Sequence, residues 1–138
     1  MSQPYTGGCA CGAIRYEIAD EPLGMTDCQC RDCQCKSGTG HGSSRTFPSQ
    51  EQVKLDGAAT HWDIVGDTGN VKTRAFCPTC GSPVHLLFAA APAVFTVHAA
   101  SLDDPSRYAP QVVTYRMRGY VWDQIDPALP QLYEMPPP

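Results

Sequence analysis

The chain has 138 residues, 42% of them apolar, and a formal charge of -4 at pH 7. That length suits one domain and leaves no room for a second. The acidic balance and the dispersed lysines and arginines exclude nucleic acid as a partner, because duplex binding needs a basic face, and no apolar run approaches a membrane span.

Residues 1–8 (MSQPYTGG) hold neither a basic start nor an apolar stretch. No secretory signal is expected there, and the chain is placed in the reducing cytoplasm. Thirteen prolines and twelve glycines break up any helical spacing. Alternating apolar residues instead predict strands at Ile14, Tyr16 and Ile18, at Val53–Asp56, at 61–65, at Val71–Phe76, at 84–87, at 94–99, and at Val113, Tyr115 and Met117. The one helical turn expected is Arg31–Ser37, between Cys30 and Gly38. Together these predict a mainly β fold, a small single domain of antiparallel sheets over residues 1–125. The proline-rich tail, 126–138, is expected to be pinned by Leu129, Leu132 and Tyr133 and to fray at its end.

Eight cysteines exceed the packing needs of such a domain, and in a reducing compartment they point to metal. They fall in three clusters: Cys9 and Cys11 between glycines, then Cys28, Cys30, Cys33 and Cys35, then Cys77-Pro78-Thr79-Cys80-Gly81. In the last, proline fixes a turn and the glycine tolerates positive φ, so that both sulfurs converge on one zinc. A tetrahedral zinc needs two ligands more, either Cys9 with Cys11 or two thiols of the middle cluster. The middle cluster offers Cys28, Cys30 and Cys33 within six residues. Cys35 either closes that site as a fourth thiolate or stays a free thiol or small apolar filler. A site left open suits a substrate sulfur, since thiolate is the ligand type already there.

Among the histidines, His41 in its glycine-rich loop is the candidate acid or base, whereas His85 and His98 lie in apolar strand patterns and are expected to be packed. Arg31, Lys36 and Arg45 stand closest in sequence to the metal cluster and are candidate partners for substrate carboxylates. Asp103 and Asp104 are expected to shape the turn before Pro105, and Trp62 and Trp122 to pack in the core.

The order Gly-Gly-Cys9-x-Cys11-Gly, then Cys28-x-Cys30-Arg31-Asp32-Cys33-Gln34, then Phe76-Cys77-x-x-Cys80-Gly81 resembles the glutathione-dependent formaldehyde-activating and centromere-protein-V family. The likeness continues through 100–105, the Trp122 segment and 129–136. It implies a compact fold like that of zinc-bearing Rab-exchange-factor-like (β-tent) proteins, with two zincs per chain. One would be structural, on Cys9, Cys11, Cys77 and Cys80, and one catalytic, on Cys28, Cys30 and Cys33. The activity implied is a zinc-dependent carbon-sulfur lyase that joins glutathione to formaldehyde as S-hydroxymethylglutathione. Gln29 stands where the family often has histidine and Cys35 where a basic residue is usual. The competing expectation is a zinc-stabilised protein-binding module in which both metals are structural.

Overall fold

The computed structural model describes residues 3–66 and 69–134. Strands β1 (Tyr5–Gly8), β2 (Arg15–Ile18) and β5 (Val53–Asp56) form a three-stranded antiparallel sheet in the order β1-β2-β5. Strands β3 (Gly24–Cys28), β4 (Gly42–Phe47), β6 (Thr60–Val65), β7 (Val71–Phe76), β8 (Pro83–Phe88), β9 (Ala91–His98) and β10 (Val112–Thr114) form a seven-stranded sheet. Its order is β10-β3-β4-β9-β8-β7-β6. Helix α1 (Arg31–Ser37) follows β3, starts on Cys30 and stops at Gly38, whose φ of 76° lets its N–H cap the Gln34 carbonyl.

The mainly β expectation holds. Tyr16 and Ile18 alternate inward along β2, as predicted, and meet Phe47, Val84, Phe95 and Val97 from the large sheet in one core. Each such side chain, fully buried, contributes about 1.5–3 kcal/mol. Gly7 and Gly8 are required beside this core, because a methyl on Gly7 would collide with the Ser101 carbonyl and the Tyr16 ring, and one on Gly8 with the Ile14 carbonyl.

Three strands, β1, β3 and β4, are additional to the predicted set. The strand expected to run through Met117 is cut short at Thr114: Tyr115 adopts a φ of 55° and residues Arg116–Arg118 form a 3-10 turn. The turn lets the chain receive its own tail. Leu132 N–H donates to the Val113 carbonyl at 2.8 Å and Arg116 N–H to the Leu132 carbonyl at 3.0 Å. Leu132 is held by these backbone bonds and, like Leu129, is half-buried, whereas Tyr133 is 70% exposed; the end of the tail, 135–138, lies outside the described residues. β10 also pairs in parallel with β3, an exception to the antiparallel pattern.

Register divides the large sheet into two faces. Ser43, Arg45 and Phe47 of β4 point one way and Gly42, Ser44 and Thr46 the other. The first set faces the core: Phe47 packs on Tyr5 with ring centroids 5.3 Å apart. On the second face, Cys28 pairs with Gly42, Ser44 with His98, and Trp62 with Arg74.

Candidate metal centres

The first centre joins the β1–β2 turn to the β7–β8 turn. Cys9, Cys11, Cys77 and Cys80 bring their sulfurs within 4.8 Å of one another. The Cys9 and Cys11 sulfurs are 3.6 Å apart, and those of Cys11 and Cys77 are 3.7 Å apart. Four sulfurs about 2.3 Å from a tetrahedral zinc would stand about 3.8 Å from one another, so this donor set fits the metal. Gly12 and Gly81, with φ of 83° and 77°, turn the chain back after each pair. The Ser82 hydroxyl lies 3.2 Å from the Cys80 sulfur, and with the Ser82 backbone N–H it pulls that thiol down to about 5. Of the two pairings left open by the sequence, Cys77 and Cys80 meet Cys9 and Cys11.

The second centre is a trio. Cys28 ends β3, Cys30 caps α1 and Cys33 lies in its first turn, with all three sulfurs within 4.8 Å of one another. Cys30 accepts from the Cys33 backbone N–H at 3.4 Å. Hydrogen bonds from Cys28 and Cys33, helped by the nearby Lys72 charge, pull the Cys30 thiol far down, while sharing with Cys30 and Cys33 pushes Cys28 up. Among the described residues, no further cysteine, histidine or carboxylate joins the trio at that distance, and Cys35 is exposed outside it.

Two cations from β7 complete the surroundings. Lys72 Nζ is 3.0 Å from Asp32 Oδ2 and 3.9 Å from the Cys30 sulfur. Arg74, 2% exposed, donates from Nε to Asp32 Oδ2 at 2.6 Å and from Nη2 to the Cys33 sulfur at 3.3 Å. Its Nη1 reaches His98 Nε2 at 3.5 Å. Lys72 and Arg74 are not among the candidates the sequence offers. The available signal was Lys72-Thr73-Arg74, two cations on one face of a strand, which needs a buried anionic counterpart such as Asp32.

The residues singled out beforehand are scattered by comparison. His41 bonds Asp123 through Nδ1 at 2.8 Å, and its Nε2 lies 3.9 Å from Asp27. Asp27 accepts from Ser43, its partner in the ladder, at 2.7 Å, and from Tyr108 at 2.8 Å. Asp27 and Ser43 alternate with Cys28 and Gly42, so this cluster belongs to the other face of the sheet. Asp123 also accepts from Gln29 at 3.0 Å, which ties the loop between two trio cysteines to His41.

Arg31 is exposed and bonds Gln34 at 3.2 Å, and Lys36 sits 4.7 Å above the Trp62 ring on the trio's side. Arg45 is 1% exposed, stacks on Tyr5 and donates to the Arg107 carbonyl, which places it in the core and not at the trio. His85 is packed as expected, stacked on Phe95 at 4.8 Å. His98 is not enclosed: it is half-buried on the trio's face of the sheet. Asp103 pairs with Arg15 and Asp104 caps the Pro105–Arg107 turn, both shaping the chain as anticipated. Trp62 is half-buried, but Trp122 is 62% exposed, stacked on Tyr120 in a surface loop, because the turn at Tyr115 carries that segment out of the sheet.

Among the described residues no helix is long and apolar enough to cross a membrane. Residues 4–118 match the sequence model of a family described as glutathione-dependent formaldehyde-activating enzyme. A solved structure of a Rhodobacter sphaeroides protein superposes with a TM-score of 0.57 at 24% identity, over 74% of this chain and 93% of that one, a likeness of fold.

Proposed function

The chain belongs to the glutathione-dependent formaldehyde-activating enzyme family, and on that premise we propose that it is a zinc-dependent carbon-sulfur lyase-type enzyme that joins glutathione to formaldehyde. The product is S-hydroxymethylglutathione, and two zincs per chain serve, one structural and one catalytic. The observation that carries this reading is the difference between the centres: four sulfurs in one, three in the other.

Zinc bound by the trio would supply a Lewis acid that accepts a substrate sulfur as thiolate. The residues around it prepare for that charge. With a dication held by Cys28, Cys30 and Cys33, three thiolates and the Asp32 carboxylate would be balanced by that ion together with Lys72 and Arg74, and an incoming anionic sulfur would meet a neutral environment. By contrast, a four-thiolate centre is already doubly negative with the metal bound. Burial alone would lower the charge state of Lys72 and Arg74, but the neighbouring cysteine and Asp32 charges hold both protonated. Addition of a thiol to formaldehyde is intrinsically easy, so thiolate formation and positioning are all that the site must supply. As partners for glutathione's carboxylates the reading takes Arg31, exposed at the start of α1, and Lys36, over Trp62. Exchange between formaldehyde and glutathione, followed by nuclear magnetic resonance with and without the zinc protein, tests the reading. Acceleration is expected, and an unchanged exchange rate with two zincs bound rejects it.

A further inference from the structure

One guanidinium connects the trio to a histidine that the zinc chemistry leaves unused. Arg74 spends its three nitrogens on three different groups: Nε on Asp32, Nη2 on the Cys33 sulfur, and Nη1 on His98 Nε2. The sulfur and the imidazole thus sit against adjacent nitrogens of one rigid plane. His98 ends β9 and lies opposite Ser44, on the face where Gly42 is so close to Cys33 that an added methyl would stand 3.6 Å from its sulfur.

A guanidinium has only donors. His98 Nε2 must therefore be the acceptor, and the neutral ring carries its proton on Nδ1. Burial, followed by the Arg74 charge, holds this imidazole down at about 4, so it stays neutral at pH 7. Such a ring cannot take a proton at Nε2 without losing Arg74. It can donate from Nδ1, and a half-buried neutral imidazole donor, held one guanidinium away from the Cys33 sulfur, is a group able to polarise a carbonyl.

Resting on the enzymatic reading above, we infer that His98 is a substrate-facing hydrogen-bond donor for the aldehyde oxygen and that Arg74 is the positioning residue that fixes its tautomer. In the step served, the thiol proton leaves to solvent and the sulfur forms a bond to the carbonyl carbon. The carbonyl π pair moves to oxygen, where Nδ1–H stabilises the charge, and the alkoxide takes a proton back from solvent. His98 ends as it began.

Nitrogen-15 spectra of the zinc protein should show His98 as the Nδ1–H tautomer from pH 8 to pH 5, and Arg74→Gln should shift it toward a mixture. His98→Ala should lower kcat for glutathione-formaldehyde exchange about 100-fold, the scale of losing one such donor. Its zinc content and its KM for glutathione should not change. His98→Asn, whose amide nitrogen takes the place of Nδ1, should recover most of that loss. An Nε2–H tautomer in the wild type, full activity in His98→Ala, or equal loss in His98→Asn overturns the inference alone. A wild type that does not accelerate exchange overturns the enzymatic reading and this inference with it.

Discussion

Cys11 and Cys77 are separated by 66 positions in sequence and by 3.7 Å between their sulfurs. A bridge over such a loop restricts the unfolded chain strongly, and zinc binding at a structural site is itself folding free energy, on the order of 10 kcal/mol. Elemental analysis should therefore give two zincs per chain. Cys77→Ala should unfold or aggregate, whereas Cys28→Ala should keep a cooperative thermal transition and one zinc. Equal loss of stability in the two variants would show that the centres are not divided into structural and functional roles.

Asp32 is the shared anion of Lys72 and Arg74. Removing one partner of a buried ion pair leaves uncompensated charge and costs about 3–5 kcal/mol. The side chain of Lys72 is 11% exposed and the trio thiolates remain as counter-charge, so Asp32→Asn should fall at the lower end of that range in urea unfolding. It should also weaken the second zinc in a chelator competition while leaving the first in place.

Cys35 is exposed and stands apart from the trio. Cys35→Ser should accordingly keep both metals, and with cobalt at the trio, glutathione should raise the sulfur-to-metal absorption in wild type and variant alike. Loss of the second metal in the variant, with a wild type blind to millimolar thiol, would make Cys35 a fourth ligand.

His85 is 2% exposed, and burial, with a smaller contribution from His61, lowers it from 6.5 to about 4. The unfolded chain then binds the extra proton first as pH falls. The stability from the neutral ring is complete above pH 6.5 and is lost progressively toward pH 4. Acid also protonates the cysteine ligands, a contribution common to wild type and variant. His85→Leu should flatten the pH dependence of the unfolding free energy between pH 6.5 and 4, by at most about 1.4 kcal/mol per pH unit. Parallel profiles would place the acid sensitivity elsewhere.

The cysteine pattern was legible because ligand spacing is a local property: two thiols on one turn must converge wherever the turn sits. The bounds of α1, β5 and β7 also follow from local signals, Cys30 and Gly38 for the helix and alternation for the strands. By contrast, β1, β3 and β4 read YTGG, GMTDC and GSSRTF and carry no apolar alternation. In β4 the side facing the trio holds Gly42, Ser44 and Thr46, and the core side includes an arginine, so pairing between β3 and β9 makes the strand. The partnership of Arg74 with Asp32, Cys33 and His98 is non-local. It exists only because the sheet brings β7 and β9 against α1, and no window of sequence contains it.

The two centres also differ in when they can close. Residues 28–33 leave the ribosome together, so the trio is a complete chelator almost as soon as it is made. Cys9 and Cys11 must wait for Cys77, 66 positions later, which at synthesis rates of about 5–20 residues per second is an interval of roughly 3–13 seconds. During that interval the amino-terminal thiols lack half of their donor set, so the centre proposed as structural is completed after the one proposed as catalytic. On the two-zinc reading, chains made with zinc present during translation should fold in higher yield than chains given zinc only after release, and equal yields would show that the order of closure does not matter.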